Sequence, residues 1–242
     1  MFIPRFYQAE KWYLNQNASL NSRNSHHLKV VLRAKEGDHC VVFNGDGFEY
    51  LCEIISSHKD KTTVTVLQQN QSNCQSSINI HIAQAISANQ RMDYTVQKAT
   101  ELGVTTITPI ISQLVTVKWL KTKTNKKLNH WQNISISASE QCGRVTIPEI
   151  KQPVSFVDFV NCDLNGNKII LEPEAKTVFS KLKKQTNDVI ILIGAEKGFT
   201  KNELDCATNH GFIPISLGPR ILRTETVAPV ILTLIQSYWG DL

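Results

Sequence analysis

The run of five consecutive apolar residues at positions 189–193, Val-Ile-Ile-Leu-Ile, is the strongest constraint on the fold. A strand that is apolar at every position is typical of a parallel sheet that is covered by helices on both faces. Strand-like segments on either side of this run alternate with longer helical patterns, which indicates an α/β protein. The predicted strands cover residues 78–86, 105–111, 168–171, 189–193 and 213–217.

The helices between these strands carry start and stop signals. Residues 91–102 and 128–142 each show one apolar stripe and end before a glycine. Residues 200–203, Thr-Lys-Asn-Glu, form a capping box that predicts the start of another helix. We expect the last helix to begin near residues 224–226, because Pro229 is best tolerated in a first turn.

Residues 1–72 have a different pattern, with short strands and turn signals. Two strand-like segments, 41–43 and 48–55, flank Asn-Gly-Asp-Gly and predict a hairpin. Residues 26–33 read as one inserted helix, with Leu28, Val31 and Leu32 on a single face, so the segment resembles a small β-barrel. A polar stretch at 68–77 suits a linker. We therefore expect two domains, residues 1–72 and residues 73–242.

Composition limits the compartment and the chemistry. The apolar stretches are far shorter than the roughly 18 residues that span a bilayer, and the first residues lack the apolar region of a secretion signal. We therefore expect a cytoplasmic protein with no membrane contact. The six cysteines contain no CxxC pair, so we expect reduced thiols and no metal. The net charge of +5 permits an acidic partner such as RNA.

Two glycine-containing loops follow predicted strands near the end of the chain. They are residues 194–199 (GAEKGF) and 218–226 (GPRILRTET), and ligands bind at such strand ends in open α/β sheets. The sequence lacks GxGxxG, Walker A, GxSxG and HExxH motifs, which disfavours the common nucleotide-binding and hydrolase classes. Taken alone, the second loop is also explained by Thr224 as a helix cap, Glu225 beside the helix dipole and Arg223 at the surface.

Several segments resemble a known family. They are IPRFY at 3–7, QRMDYTVQKATELGVTTITPIIS at 90–112, ASEQCGRVTIPEI at 138–150 and LGPRILRTET at 217–226. Together they resemble the RsmE family, the ribosomal RNA uridine N3-methyltransferases of the SPOUT superfamily. The resemblance implies an N-terminal PUA-like β-barrel, a SPOUT-type parallel sheet with a C-terminal trefoil knot, and a homodimer. It also implies S-adenosylmethionine as cofactor and a uridine of 16S rRNA in the small ribosomal subunit as substrate.

The resemblance assigns the cofactor to three loops. One loop departs from the family pattern, since Lys197 stands where the run G-P-E-G-G-F has a glycine. Lys197 either fits the backbone, at about 1 kcal/mol if φ is positive, or the loop is reshaped. The expected cofactor-binding residues are Leu171, Glu172, Pro173, Gly194, Ala195, Glu196, Gly198, Leu217, Gly218, Ile221, Leu222 and Arg223.

The expected catalytic residues are Arg223 and Glu225. The guanidinium of Arg223 would stabilise negative charge on the uracil carbonyls, and Glu225 would orient it or receive the N3 proton. A basic run at 118–127 either contacts phosphates, with Trp119 stacking on a base, or is a solvated surface. The expected RNA-binding residues are Arg5, Arg33, Lys121, Lys123 and Arg220.

Two other functions remain open from sequence. A ribose 2′-O-methyltransferase acting on tRNA would share the superfamily fold, and a non-catalytic ribosome-assembly factor would have lost cofactor binding through the Lys197 loop. The sequence does not select the modified nucleotide, nor free rRNA over an assembled subunit.

Overall fold

A computed structural model of the chain describes residues 3–58, 61–72, 74–116, 119, 122 and 124–242. The chain forms two compact units, Met1–Gln75 with Ser139–Ile147, and Ser76–Ala138 with Pro148–Leu242. The first unit thus includes a segment that lies well beyond the expected domain limit at residue 72. No helix among the described residues is long and apolar enough to cross a membrane.

The first unit is built on one sheet. Its strands are β1 (Arg5–Tyr7), β2 (Asn17–Ser19), β3 (His39–Phe43), β4 (Phe48–Ser57) and β5 (Thr62–Gln71), in the order β1-β3-β4-β5-β2. β1 runs parallel to β3, and the other pairs are antiparallel. The predicted hairpin is confirmed as β3 and β4. Its core includes Phe6, Trp12, Leu28, Val42 and Ile54.

The inserted helix differs from its prediction. Helix α1 (Ser22–His26) begins where the Asn21 side chain accepts a hydrogen bond from the backbone N–H of Asn24, and continues as a π-helix over His27–Val31. Because a π-turn is wider than an α-turn, successive residues are rotated differently around the axis. Leu28 is buried as predicted, but Val31 and Leu32 are exposed, so the prediction of one shared face was wrong for these two residues.

The second unit is a parallel sheet with helices on both faces. Its strands are β6 (Asn79–Ala85), β7 (Thr106–Ile111), β8 (Glu149–Ile150), β9 (Val154–Ser155), β10 (Asn167–Leu171), β11 (Asp188–Ile193) and β12 (Ile213–Ile215). The order is β12-β10-β11-β6-β7-β8, with β9 also paired to β7, and the pairs are parallel. The helices are α2 (Asn89–Glu101), α3 (Thr124–Cys142), α4 (Phe156–Val160), α5 (Lys201–Asn209) and α6 (Thr224–Trp239).

The alternating side chains of β11 enter two separate cores, as its apolar sequence predicts. Ile191 and Ile193 pack in a cluster with residues of α2 and α6. Ile190 and Leu192 pack in a second cluster, with residues of α4 and α5. The sheet is therefore covered on both faces, and the α/β fold class is confirmed.

Most predicted elements differ from the observed ones by a few residues at their ends. The capping box at Thr200 and Glu203 is confirmed at the start of α5. α6 begins at Thr224 as expected, but Pro229 lies in its second turn, where the missing N–H removes a hydrogen bond to the carbonyl of Glu225. The two-residue strands β8 and β9 were not predicted.

Candidate functional site

The carboxyl ends of β10, β11 and β12 lie side by side, because β10 pairs with both of the others in parallel. The loops that follow these strands therefore converge on one pocket of about 680 Å³, within the second unit. A volume of this size lies in the range of small-molecule and cofactor sites. The lining residues are Arg91, Leu171, Glu172, Pro173, Glu174, Ile193, Gly194, Ala195, Glu196, Lys197, Gly198, Phe199, Ile215, Leu217, Gly218, Arg220, Ile221, Leu222, Arg223, Thr224 and Val227.

The loop after β11 folds back on itself as a tight turn. The N–H of Gly198 donates to the carbonyl of Ala195 at 3.0 Å. A Cβ on Gly194 would lie 2.8 Å from the Cα of Gly198, so the two glycine backbones touch and position 194 has no room for a side chain. Gly198 itself has φ of 67°, in the left-handed region.

Lys197 fits this turn without backbone strain. Among the described non-glycine residues, positive φ occurs at Asn15 and Arg33 only, so Lys197 has ordinary backbone angles. The left-handed conformation falls one residue later, on Gly198. Of the two alternatives for Lys197, the structure therefore supports a turn that accommodates the lysine.

A buried hydrogen-bond cluster joins the same turn to the start of α6. The hydroxyl of Thr224 donates to the carbonyl of Gly194 at 2.6 Å. The side-chain amide of Gln84, which is fully buried on β6, donates to the Thr224 hydroxyl at 3.2 Å and lies 3.4 Å from the Gly194 carbonyl. The cluster fixes the backbone beside Arg223, which directly precedes Thr224.

The Glu196 carboxylate, on the same turn, contacts the start of α2. Its Oε1 accepts from the backbone N–H of Ala88 at 3.2 Å and lies 2.7 Å from Nη1 of Arg91. Partial burial raises the pKa of Glu196, but the backbone N–H groups of Glu196 and Ala88 and the Arg91 guanidinium outweigh burial, so the net shift is downward. Glu196 is therefore negatively charged at neutral pH.

The two expected catalytic residues differ in their surroundings. Arg223 lines the pocket and is exposed, and its guanidinium has no hydrogen bond or ion pair with any residue that the structure describes. Glu225 is not among the lining residues, and its Oε2 lies 3.6 Å from Nε of Arg91. Within the described part of the chain, no contact joins Arg223 to Glu225, so the expected orienting contact is not formed in this structure.

All twelve expected cofactor-binding residues line the pocket, and so does Arg220. The sequence did not suggest Arg91 or Gln84, which come from distant parts of the chain. Thr224 was noted only as a possible helix cap. The expectation that these residues bind a cofactor stays a prediction, but the convergence of the three loops is observed.

The expected RNA-binding residues are dispersed. Arg33 is exposed, with φ of 57°. Arg5 is only 16% exposed; it forms an ion pair with Glu49 and donates to the carbonyls of Gly143 at 3.1 Å and Arg144 at 3.3 Å. Lys121 and Lys123 lie outside the described residues.

Trp119 is half-buried, and its ring has partners within the protein. Its ring stacks on that of Trp131, with the centroids 5.9 Å apart, and the ammonium of Lys127 lies 4.9 Å from its centroid. Among the described residues, no group of three or more His, Cys, Asp or Glu side chains is arranged to hold a metal ion.

Comparisons with known proteins identify the family. Residues 74–236 match the family model of an RNA methyltransferase domain, and residues 20–67 match that of an RNA methyltransferase PUA domain. The ribosomal RNA small subunit methyltransferase E of Buchnera aphidicola is 39% identical over 99% of this chain and 98% of its own length. The enzyme of the same name from Bacillus subtilis is 30% identical over 93% and 91%. The chain belongs to the ribosomal RNA small subunit methyltransferase E family.

Solved structures of similar proteins support this membership. A Legionella pneumophila protein, solved as a methyltransferase in complex with bound SAM, has 40% identity and a TM-score of 0.96. The ribosomal RNA small subunit methyltransferase E of Neisseria gonorrhoeae, solved with bound S-adenosyl methionine, has 31% identity and a TM-score of 0.94. Both alignments cover 100% of each chain, and they confirm the expected fold class, with a PUA-like N-terminal domain.

The donors and walls of the pocket suit the cofactor that this family implies. Aliphatic side chains provide apolar walls for a flat heteroaromatic ring, while the turns offer backbone N–H and C=O groups to a ribose and an amino-acid portion. The lining carries both signs of charge: Glu172 and Glu174 can face the cationic groups of the ligand, and Lys197, Arg220 and Arg223 can face its carboxylate. The aliphatic lining residues are Leu171, Ile193, Ile215, Leu217, Ile221, Leu222 and Val227.

Proposed function

We propose that this protein methylates N3 of a uridine in 16S rRNA of the small ribosomal subunit, with S-adenosylmethionine as methyl donor. The observation that carries the proposal is the convergence of the three loops on one pocket, in a chain of the methyltransferase E family. The unstrained Lys197 supports it as well, because a turn that accommodates the lysine argues against a factor that has lost cofactor binding through this loop.

In this proposal the pocket holds the donor by its aliphatic walls and its backbone groups. Leu171, Leu217 and Leu222 would provide an apolar wall for the adenine, and the turn at Gly194–Gly198 would let the main chain approach the ligand closely. When bound, S-adenosylmethionine supplies an electrophilic methyl carbon on a sulfonium. Carboxylates near the pocket balance the ligand's positive charge.

The protein's own residues position and activate the uracil. N3 is a weak nucleophile while it carries its proton, so the site must accept that proton and stabilise negative charge on the ring carbonyls. Arg223 is exposed at the pocket and its guanidinium has no partner among the described residues, which leaves its five donors available to a carbonyl oxygen. Glu225 accepts the proton, directly or through one water.

The proposal also includes how the protein binds RNA, its oligomeric state, its location and its knot. The PUA-like unit and the exposed guanidinium groups of Arg33 and Arg220 bind the rRNA backbone. A homodimer, a cytoplasmic location and the C-terminal trefoil knot follow from the family resemblance.

The test is nucleoside mass spectrometry of reconstituted small subunits incubated with isotopically labelled S-adenosylmethionine. We expect label in N3-methyluridine, and a single-turnover rate lowered at least about 100-fold in Arg223→Ala, as for the loss of one charge-stabilising donor. Lys201→Ala, which removes an exposed cation at the start of α5, serves as the matched control and should leave the rate unchanged.

Label in a ribose-methylated nucleoside would instead show a ribose methyltransferase. Absence of both donor binding and label would show a non-catalytic assembly factor. An unchanged rate in Arg223→Ala would remove this residue from the chemistry while leaving the substrate assignment in place.

A further inference from the structure

Arg91 lies between two carboxylates at the pocket. Its Nη1 is 2.7 Å from Oε1 of Glu196, and its Nε is 3.6 Å from Oε2 of Glu225. Glu196 belongs to the turn after β11, and Glu225 belongs to the first turn of α6. One guanidinium on α2 therefore connects two of the elements that form the pocket.

Local helix formation does not explain an arginine at this position. The N-cap of α2 is Ala88, so Arg91 is the third helical residue, where a capping box has Glu or Gln. The first turn contains no acidic residue, and a cation there is opposed by the helix dipole. Glu196, from a separate loop, accepts the Ala88 N–H that a local cap would otherwise satisfy. The two carboxylates account for Arg91, whereas the helix alone does not.

Glu225 depends on Arg91 for compensation of its charge. Its Oε2 is buried and has no hydrogen-bond partner among the described residues, so the guanidinium 3.6 Å away is its observed electrostatic partner. Removing the cation would leave a buried oxygen of a carboxylate without compensation, which favours displacement of the carboxylate. The start of α6 would then lose its link through Arg91 to the turn after β11, while the Thr224 hydrogen bond to Gly194 and the contacts of Gln84 remain.

We propose that Arg91 is a positioning residue that holds the Glu196 turn and the Glu225 end of α6 in fixed relation, so that donor binding and methyl transfer both depend on it. The proposal rests on the methyltransferase function above. Because Arg223 directly precedes α6, a displaced helix start moves the group that stabilises the uracil charge. Arg91 itself contacts the carboxylates, whereas Arg220 and Arg223 remain available to the substrate.

The experiment compares Arg91→Met with Lys98→Met. Lys98 lies on the same helix and pairs with Glu101 at 2.8 Å, outside the pocket, so it is a matched control for the loss of an ion pair. Three quantities are measured: the Kd of S-adenosylmethionine by calorimetry, the single-turnover rate at saturating donor and RNA, and the melting temperature. We expect Arg91→Met to raise the Kd about tenfold and to lower the saturated rate about tenfold, a coupling of ordinary size. Lys98→Met should change neither.

Double mutants separate positioning from general stability. If Arg91 acts through the two carboxylates, Arg91→Met combined with Glu196→Gln raises the Kd no further than the stronger single change. Arg91→Met combined with Glu225→Gln likewise lowers the saturated rate no further than the stronger single change. Arg91→Lys keeps the charge but has a single ammonium, which can pair with only one of the two carboxylates. Compared with Arg91→Met, it should therefore restore either the donor Kd or the saturated rate, but not both.

A wild-type Kd and saturated rate in Arg91→Met, or strictly additive effects in both pairs, would overturn the proposal. A lower melting temperature alone, with both quantities unchanged, would also overturn it by showing a merely structural ion pair. If the wild-type protein binds the donor but produces no N3-methyluridine, the proposed function fails instead. In that case, the donor Kd values of the Arg91→Met and Glu196→Gln variants still show whether Arg91 positions the turn after β11.

Discussion

Three arginines line the pocket, and their surroundings assign them different roles. Arg91 contacts two carboxylates, so its charge is balanced by the protein. Arg220 and Arg223 are exposed, and their guanidinium groups have no partner in the described part of the chain. A guanidinium without a protein partner can bind phosphate or a carbonyl oxygen without first breaking an ion pair. The chemistry of each arginine is therefore set by its neighbours and not by its residue type.

His81 is a partly buried titratable group away from the pocket, and it makes stability depend on pH. Its Nε2 lies 2.8 Å from the hydroxyl of Thr108, and its ring packs edge-on against Phe159. Burial, together with the positive charge of Lys151, lowers the pKa of His81 from its ordinary 6.5 to about 4. Between these two values the unfolded chain binds a proton that the folded protein does not bind. The stabilisation is thus complete above pH 6.5 and is lost as pH falls towards 4.

We expect His81 to account for about 2 kcal/mol of the unfolding free energy lost between pH 7 and pH 5. Urea unfolding at the two pH values measures this loss. His81→Gln should lose about 2 kcal/mol less unfolding free energy between pH 7 and pH 5 than the wild type does. His39→Gln, at an exposed position on β3, is the control and should lose as much as the wild type. An equal loss in all three proteins would contradict the assignment.

At the level of single residues, the sequence indicated the loops that line the pocket because strand ends carry the information. Gly194 directly follows β11, Gly198 and Gly218 lie within five residues of a strand end, and the carboxyl ends of parallel strands meet at one edge. Arg91 was missed because its partners are more than 100 positions away along the chain. A usable signal existed, since a cation in the first turn of a helix without any local acid predicts distant carboxylates.

At the level of elements, the turn after β11 depends on contact between two backbones. In Gly194→Ala, the added methyl group would lie 2.8 Å from the Cα of Gly198, so the turn must move. Overpacking of this kind costs about 1–3 kcal/mol, and we expect donor affinity to fall about tenfold or more in calorimetry.

Gly211→Ala is the matched control for that change. Gly211 follows α5, has φ of 85° and has open space around the position of a Cβ. The substitution should cost about 1 kcal/mol of stability through backbone strain while leaving the donor Kd unchanged. Equal Kd values for Gly194→Ala and the wild type would show that the turn does not shape the donor site.

Elements with a clear period were predicted, and short or irregular elements were not. β11 contains a continuous apolar run and α2 carries one apolar stripe, so their existence followed from sequence. β8 and β9 have two residues each, too few for any period to be visible. The π-helix at His27–Val31 was read as ordinary helix, because its wider turn leaves no simple mark in the pattern. The trefoil knot stays a prediction, since strand order alone does not describe how a chain is threaded.

At the level of the whole molecule, Arg5 shows how the first unit is held together. Its guanidinium joins β1 to Glu49 on β4 and to the carbonyls of Gly143 and Arg144 in the second segment of the unit. In Arg5→Met these acceptors lose a charged donor, which should lower stability by roughly 2–3 kcal/mol in thermal unfolding. The sequence interpretation of Arg5 as an RNA contact makes the opposite prediction, a loss of RNA affinity at unchanged stability.

Arg33→Met provides the comparison. Arg33 is exposed, so its replacement should change stability by less than about 0.5 kcal/mol. If Arg33 contacts a phosphate, the slope of log affinity against log salt concentration should become shallower by about one. A wild-type melting temperature in Arg5→Met would show that its contacts contribute little to the first unit.

The discontinuity of the first unit also bears on synthesis. A chain emerging from the ribosome presents residues 1–75 early, but the unit that they belong to includes Ser139–Ile147. The N–H of Tyr7 on β1 donates to a carboxylate oxygen of Glu140, and Arg5 requires carbonyls that are translated more than 130 residues after it. The first unit therefore lacks these contacts until more than half of the protein has been made. Its full set of contacts forms only after part of the second unit has been synthesised.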